Sequence, residues 1–383
     1  MRSEGTILRR ALALAVTGAL ALGLAPAPAL ADVRPPSIKA VSATIQTIDG
    51  FTGWSQKPNS RRRVASTIKL LNALVIRDHV SLDTTVTVPR KAAAMWCGDI
   101  GLVRGQVVSY RKLLQMMLIA SANDAAETAA IRIAGSEEAY VGLMNAKATE
   151  LGLAHTVAID PHGLSERERS SANDLSVLAR RVLADPVLRS IVAKRSVTVH
   201  FPNGSRRTVK STNLLLGVYP GIEGVKTGYT SSAGYCFVGA AQRNGVELVG
   251  VVLDCSSLAR RFSQMRKLLD WGFAHCHLRT VVSRDETMGT VPVEGVPAMA
   301  GVTVHAETTA TVALFDGDTS VATSVALPPS VTAPVVAGQR LGTVTVRRGT
   351  AVIASVPLIA DFSVDAQSLV PAEFLRRLFT GRG

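Results

Sequence analysis

At 383 residues the chain is long enough for two domains with full hydrophobic cores. Its 42 Lys and Arg against 29 Asp and Glu give a net charge of +13, spread along the chain without long basic blocks, which argues against a nucleic-acid-binding tail. Such a charge either maintains solubility or draws the protein to anionic wall polymers, substrate carboxylates or acidic lipid headgroups.

The N-terminus carries Arg2, Arg9 and Arg10, an apolar run from Ala11 to Ala25, and then Ala29-Leu30-Ala31. A charged start, an apolar stretch and a small-x-small site are the parts of an export signal, expected over residues 1–31, with the mature chain starting at Asp32. The apolar run is shorter than the ~20 residues a bilayer needs. Adjacent arginines are common in such segments, so ordinary secretion is expected over a twin-arginine route. No cysteine follows the cleavage site to carry a lipid.

Residues 40–55 alternate and turn at Asp49-Gly50 like a hairpin, and Asn59 to Arg63 is a polar loop. Ala65-Ser66-Thr67-Ile68-Lys69 then opens an almost wholly apolar run through Leu70, Leu71, Leu74, Val75 and Ile76, which predicts the first turn of a buried helix. A lysine there needs a partner for its charge. Residues three apart share a helix face, so the Lys69 amine can reach the Ser66 hydroxyl. An amine takes that proton only if its pKa falls from ~10.4 towards neutrality, which burial and a second cation would both promote. The plain alternative is an N-cap serine followed by a snorkelling lysine.

Leu82 to Val88 is a short Thr- and Val-rich segment, Cys97-Gly98-Asp99 a loop, and Leu113 to Leu118 a helix. Ser121-Ala122-Asn123-Asp124 falls on the link to the next helix, Ala125 to Ala134. Mere capping would explain this tetrad. The chemical reading has Ser121 relaying a proton to the leaving amine and Asn123 holding Lys69 and the substrate backbone. Residues 137–151 are helical, Asp160-Pro161-His162-Gly163-Leu164 starts a polar loop, residues 174–185 resume a helix, and 196–210 form a hairpin around Pro202-Asn203-Gly204.

Lys226-Thr227-Gly228 sits in a run of glycine and β-branched residues, an extended strand whose backbone a substrate can approach and pair with. Lys226 would draw a terminal carboxylate, Thr227 would add a hydroxyl contact, and Lys226 is also the second cation for Lys69. Two strands around Asn244-Gly245 and a helix over 258–273 follow. From about Thr280 the chain turns to short Val-, Thr- and Ala-rich strands, an all-β module expected to support or position. The C-terminal segment from Pro371 puts Phe374, Leu375, Leu378 and Phe379 beside Arg376 and Arg377. This basic amphipathic end either touches an anionic membrane or packs on its own domain.

Cys97, Cys236, Cys255 and Cys276 allow three full pairings, and Cys236 and Cys255 flank the Asn244-Gly245 hairpin, where a disulfide would be within reach. Their spacings match neither a zinc site nor a redox motif, and no metal or cofactor is expected.

S-x-x-K, S-x-N and K-T-G in this order form the set used by penicillin-recognising serine enzymes. The chain resembles the low-molecular-mass penicillin-binding proteins, the serine D-alanyl-D-alanine carboxypeptidases. The resemblance runs through residues 63–69, 121–126, His162-Gly163-Leu164, 224–230, 233–235, 268–273 and the group Ala333-Pro334, Gly338-Gln339 and Leu341-Gly342-Thr343. It implies an α/β fold, a β-lactamase/transpeptidase-like domain of antiparallel sheet flanked by helices at 32–278. A small all-β sandwich at 279–366 and the tail at 367–383 would follow.

By the same resemblance Ser66 attacks the peptide bond between two D-alanines at the end of a peptidoglycan stem peptide, with Lys69 as base and Ser121 passing a proton to the departing D-alanine. Asn123 orients the site, Lys226 and Thr227 receive the carboxylate, and the backbone N–H groups of Ser66 and Tyr229, beside Gly228, form the oxyanion hole. β-Lactams would acylate Ser66, and the enzyme would work in the cell envelope or outside the cell. Ile68, Val64 and Asp160 depart from the family's usual residues without removing a catalytic group. Two alternatives remain open here: a class A-like β-lactamase using Glu166 or Glu168 for deacylation, and a wall-binding protein without turnover.

Overall fold

The computed structural model describes residues 34–294 and 301–366; the expected export signal and the C-terminal basic tail lie outside the described residues. The central sheet has five antiparallel strands in the order β2-β1-β9-β8-β7, with β1 at Ser42–Thr47, β2 at Thr52–Gln56, β7 at Ile222–Thr230, β8 at Gly234–Arg243 and β9 at Val246–Cys255. Its middle strands are buried on both faces, which explains their continuous apolar runs. Asn244 and Gly245 both carry positive φ (49° and 80°), the geometry a tight two-residue hairpin requires.

One face of the sheet is covered by α8, Leu258–His275, whose Met265, Leu268 and Leu269 join Phe237, Leu248 and Val252 in one core cluster. The other face meets α6 (Ala172–Ala184) and, at β7, α3 (Tyr110–Ile119), behind which α1 (Lys69–His79) and α4 (Asn123–Ala134) complete a larger cluster. The small helix α2 (Arg90–Ala93), α5 (Glu137–Glu150) and α7 (Pro186–Val192) pack around this helical layer. The two-stranded pairs β3 (Thr85–Thr87) with β4 (Val107–Ser109), and β5 (Ser196–His200) with β6 (Arg206–Lys210), sit outside the main sheet. The short α7 is absent from the sequence reading; Asp185 caps its first turn through Val187 N and Leu188 N, so it is a separate helix and not an extension of α6.

Beyond α8 the chain is all β. Strands β10 (Cys276–Val282) and β13 (Ala310–Phe315) pair. A six-stranded sheet has the order β14-β16-β17-β12-β11-β15, built from β11 (Thr287–Glu294), β12 (Gly301–Ala306), β14 (Val321–Ala326), β15 (Val331–Thr332), β16 (Arg340–Arg348) and β17 (Ala351–Ala360). A core of Val291, Val302, Val304, Val344, Val346 and Leu358 fills it. Arg348 ties this module to the first domain: its guanidinium pairs with Asp49 and Asp318 and lies 4.6 Å over the Phe51 ring. Trp271 stacks on Phe315 at 5.8 Å beside it.

All four cysteines are free thiols. The Cys236–Cys255 bridge weighed from the sequence is not formed: Cys255 lies opposite Tyr235, the pairing shifts between Tyr235 and Phe237, and Cys236 Sγ faces the Ala233 carbonyl at 3.6 Å.

Candidate active site

The nucleophile segment is a single 3-10 turn, Ala65–Ile68, that runs into α1 at Lys69. The expected helix therefore starts one tight turn later than its apolar pattern suggests, but Ser66 and Lys69 still share a face. Ser66 is half-buried and Lys69 fully buried. Ala65 enters the turn with φ +48°, a conformation rare for a residue with a Cβ. The loop that follows Asp160 packs directly against it. A Cβ on Gly163 would stand 2.3 Å from the Ala65 carbonyl oxygen, so only glycine fits.

Lys69 Nζ lies 2.7 Å from Ser66 Oγ, 2.6 Å from Asn123 Oδ1 and 2.7 Å from the His162 carbonyl oxygen. The last two atoms can only accept. Asn123 is held in this orientation because its Nδ2 donates to the Cys97 carbonyl at 2.6 Å. A neutral amine has two protons and one lone pair, so once both protons are given to Asn123 and His162 the lone pair is left for the Ser66 hydroxyl. The Ser66 hydroxyl also reaches the His162 carbonyl at 3.2 Å, the acceptor it uses while Lys69 is protonated.

Burial lowers the Lys69 pKa to about 7, against the opposing charges of Asp160, Glu168 and Asp124. Desolvation supplies what the sequence reading assigned partly to a second cation. Lys226 stands across the site, its amine donating to Ser121 Oγ at 2.9 Å and to the Thr227 carbonyl at 2.7 Å. Its own pKa is pushed well down by burial, with Lys69 and Arg261 adding like-charge repulsion. Ser121 has φ +64°, which turns its hydroxyl out of the α3–α4 link towards Lys226. It makes no hydrogen bond to Lys69.

Thr227 is buried and its hydroxyl donates to Thr212 Oγ1 at 2.7 Å. Gly228 backs onto the nucleophile turn: a Cβ there would sit 2.8 Å from the Val64 carbonyl oxygen and 3.0 Å from Ser66 N. Tyr229 is half exposed, stacked on Tyr235 with ring centroids 4.2 Å apart. Thus Ser66, Lys69 and Asn123 form one hydrogen-bonded group and Ser121, Lys226 and Thr227 a second. The close approach of β7 to the Ser66 turn joins the two.

Asn123 caps nothing. It is the first residue of α4, behind Ala122, and its side chain is spent on Lys69 and Cys97. Asp124 instead accepts from Ile100 N and Leu102 N, pinning the loop that carries Cys97. Of the two glutamates weighed as a lactamase base, Glu166 is exposed and Glu168 is buried; neither hydrogen-bonds Ser66 or Lys69.

Four contributors escaped sequence reasoning. Two are backbone carbonyls, of Cys97 and His162, which no residue pattern announces. Asp160 accepts from the N–H groups of His162, Gly163, Leu164 and Ser165 and so shapes the loop that aims the His162 carbonyl. Arg261 of α8 is buried and donates to the Gly228 carbonyl at 3.2 Å. Asp-Pro-His-Gly was the one available signal, since an aspartate before a glycine turn commonly collects backbone N–H groups. Glu127, Glu137 and His162 bring possible metal-ligand atoms within 4.8 Å of one another, but Lys91 Nζ already supplies the cation there, 3.1 Å from Glu127 Oε1 and paired with Glu137.

Residues 30–257 match the D-alanyl-D-alanine carboxypeptidase family, Peptidase S11, and residues 277–366 match the penicillin-binding protein 5 C-terminal domain. The D-alanyl-D-alanine carboxypeptidase of Streptomyces sp. strain K15 is 33% identical over 291 residues, covering 70% of this chain and 99% of the relative. Penicillin-binding protein 5 of Haemophilus influenzae superposes with a TM-score of 0.65 at 25% identity, over 87% of this chain and 99% of its own. Penicillin-binding protein D2 of Listeria monocytogenes, solved in its ampicillin-bound form, superposes with a TM-score of 0.56 at 29% identity, over 63% of this chain and 100% of its own.

Proposed function

From the premise that this chain belongs to the D-alanyl-D-alanine carboxypeptidase family of serine peptidases, we propose that it removes the terminal D-alanine from peptidoglycan stem peptides through an acyl-enzyme on Ser66. One observation carries the roles: two fixed acceptors take the protons of a buried amine, and its lone pair meets the nucleophile's hydroxyl. Ser66 Oγ attacks the carbonyl of the penultimate D-alanine as its proton passes to Lys69. The developing oxyanion is received by the backbone N–H groups of Ser66 and Tyr229, a donor pair of the kind that stabilises such charge by ~3 kcal/mol per donor.

The proton that Lys69 took from Ser66 is relayed to the leaving amine through Ser121, which gives one proton and regains another while Lys226 holds it in place. Lys226 and Thr227 receive the terminal carboxylate, and Asn123 keeps Lys69 aligned. Water then releases the acyl group. A β-lactam places a strained amide on the same path, which supports acylation of Ser66 by penicillins; the ampicillin-bound Listeria relative is consistent with this.

The lactamase alternative is not favoured: residues 30–257 match the carboxypeptidase family, and among the described residues no glutamate side chain hydrogen-bonds Ser66 or Lys69. We place the enzyme's work in the cell envelope, after removal of residues 1–31, with the basic tail after residue 366 as a membrane contact. No helix among the described residues is long and apolar enough to cross a membrane.

The test is a mass spectrum of the intact protein with and without benzylpenicillin, paired with an assay of D-alanine release from an acyl-D-Ala-D-Ala peptide. A penicillin adduct that vanishes in Ser66→Ala, together with D-alanine release, is the expected result. Rapid penicillin turnover with no D-alanine release would replace the peptidase reading by the lactamase one.

A further inference from the structure

The polar loop ahead of the nucleophile has no part in the chemistry above, yet it builds a cavity of about 150 Å³. Four arginines line it, Arg61, Arg62, Arg63 and Arg169, with Ser232 and Ala233, and Asp254 is its one carboxylate. The guanidiniums are not equivalent. Arg62 is paired with Asp254. Arg63 Nε donates to the Glu166 carbonyl at 2.9 Å, and Arg169 donates to the carbonyls of Glu166 and Glu168 at 2.5 and 2.8 Å. Carbonyls satisfy donors without neutralising charge. Arg61 is exposed, and its side chain makes no hydrogen bond or ion pair among the described residues. Four positive charges against one negative leave a surplus on a wall of planar donor forks, the arrangement that suits a carboxylate.

The position of this cavity follows from β7. With the terminal carboxylate at Lys226 and the attacked carbonyl beside Gly228, the acyl part of a bound peptide continues past Tyr229 and Thr230. It then meets the turn that contains Ser232 and Ala233. At about 3.4 Å per residue the cavity stands roughly two to three residues upstream of the scissile bond. The segment from Arg63 to Ser66 also binds the cavity to the nucleophile turn directly.

We propose that this cavity is a substrate subsite for a carboxylate-bearing residue roughly two to three positions upstream of the scissile bond, bound by Arg61, Arg63 and Arg169. The inference rests on the carboxypeptidase reading and adds an acidic acyl-donor preference to it. The same charge explains why a loop so close to the active site is basic when the catalytic steps require no arginine there.

The test compares kcat/KM for two acyl-D-Ala-D-Ala peptides that differ only in a carboxylate or its neutral amide at those upstream positions, using the full chain and the double variant Arg61→Gln, Arg63→Gln. The wild-type protein should prefer the acid by about tenfold, the scale of a charge-assisted hydrogen bond at a half-exposed site, and mainly through KM. The preference should shrink in about 0.5 M salt, where exposed charges are screened within a few ångströms. In the double variant the acid-to-amide ratio should fall close to one. Equal rates for both peptides in the wild-type protein, or a preference that survives in the double variant, overturns the subsite. Penicillin labelling of the same preparations separates the two readings: no adduct overturns the carboxypeptidase assignment, whereas labelled enzyme without an acid preference overturns the subsite alone.

Discussion

Replacing Asp160 by asparagine separates what that residue does by charge from what it does by shape. Its carboxylate accepts from His162 N and Gly163 N through Oδ1, at 2.9 and 2.5 Å, and from Leu164 N and Ser165 N through Oδ2, at 3.1 and 2.6 Å. Burial alone would raise its pKa, but the His162 ring and these N–H groups outweigh it and hold the carboxyl well below the usual range. An amide keeps one oxygen and turns an NH₂ towards the other pair of donors. Two stranded backbone donors at ~1–3 kcal/mol each, eased by partial exposure of the loop, give a loss of about 2–4 kcal/mol. A group with a depressed folded pKa stabilises above its unfolded value of ~3.9 and loses that contribution as pH falls, so the gap to wild type should narrow in acid.

The charge effect runs the other way in the catalytic profile. Asp160 is the foremost of the acidic groups that keep the Lys69 proton on, so its neutralisation lowers Lys69 below about 7. A carboxylate that does not touch the amine shifts it by roughly one unit, the low end of the range for close opposite charges. The neutral amine is the base, so activity rises with pH through the Lys69 pKa. The acid limb of kcat/KM, centred near 7 in the wild-type protein, should move to about 6 in Asp160→Asn while the plateau falls. D-Alanine release from pH 5 to 9, with urea unfolding at neutral and acid pH, measures both. An acid limb that moves upward, or stays fixed while stability drops, would refute the charge argument.

Ser66→Ala should abolish both penicillin labelling and hydrolysis, a loss of about 10⁶ in kcat by analogy with other nucleophile deletions, with an unchanged unfolding midpoint; residual labelling would point to another nucleophile. Lys226→Met should raise KM for peptides with a free carboxylate by about 10–100-fold, the worth of a charged hydrogen bond, and should change C-terminal amides far less. Equal effects on both peptides would remove Lys226 as the anchor. Gly163→Ala sets a Cβ 2.3 Å from the Ala65 carbonyl at φ +88°, and backbone cannot yield as a side chain can. It should cost about 3 kcal/mol or more and most of the activity, while a stable, active variant would show that the loop and the nucleophile turn move independently.

Most of the scaffold was legible because its signals are local. Asn244-Gly245 specifies a hairpin by its own φ preferences, and the unbroken apolar runs of β8 and β9 mark strands covered on both faces. The candidate catalytic side chains were legible because each motif fixes residue types that chemistry needs. What could not be read was which atom each of them touches. Lys69 is oriented by two acceptors, one a backbone carbonyl 93 residues away, and Asn123 is oriented by another carbonyl. Backbone groups carry no residue identity, so only the closed loop reveals them. The cysteines show the same limit: two strands adjacent in sequence looked bridgeable, yet the pairing shifts between Tyr235 and Phe237 and both thiols stay free.

The two buried amines are equally desolvated and are set apart by what surrounds them. Lys69 has Asp160, Glu168 and Asp124 nearby, which hold its pKa near neutrality instead of letting burial drive it lower. Lys226 has Lys69 and Arg261 for neighbours and hydrogen-bonds only to a hydroxyl and a carbonyl, so nothing in the protein restores its charge. On the roles proposed above, the substrate's terminal carboxylate supplies the missing anion. It raises the affinity of Lys226 for a proton, and the resulting cation discourages a second proton on Lys69. Substrate binding thereby favours the state in which Lys226 is charged and Lys69 is neutral, the one distribution that both anchors the peptide and leaves a base for Ser66. A peptide without that carboxylate should lose rate as well as affinity, because it fails to set the base.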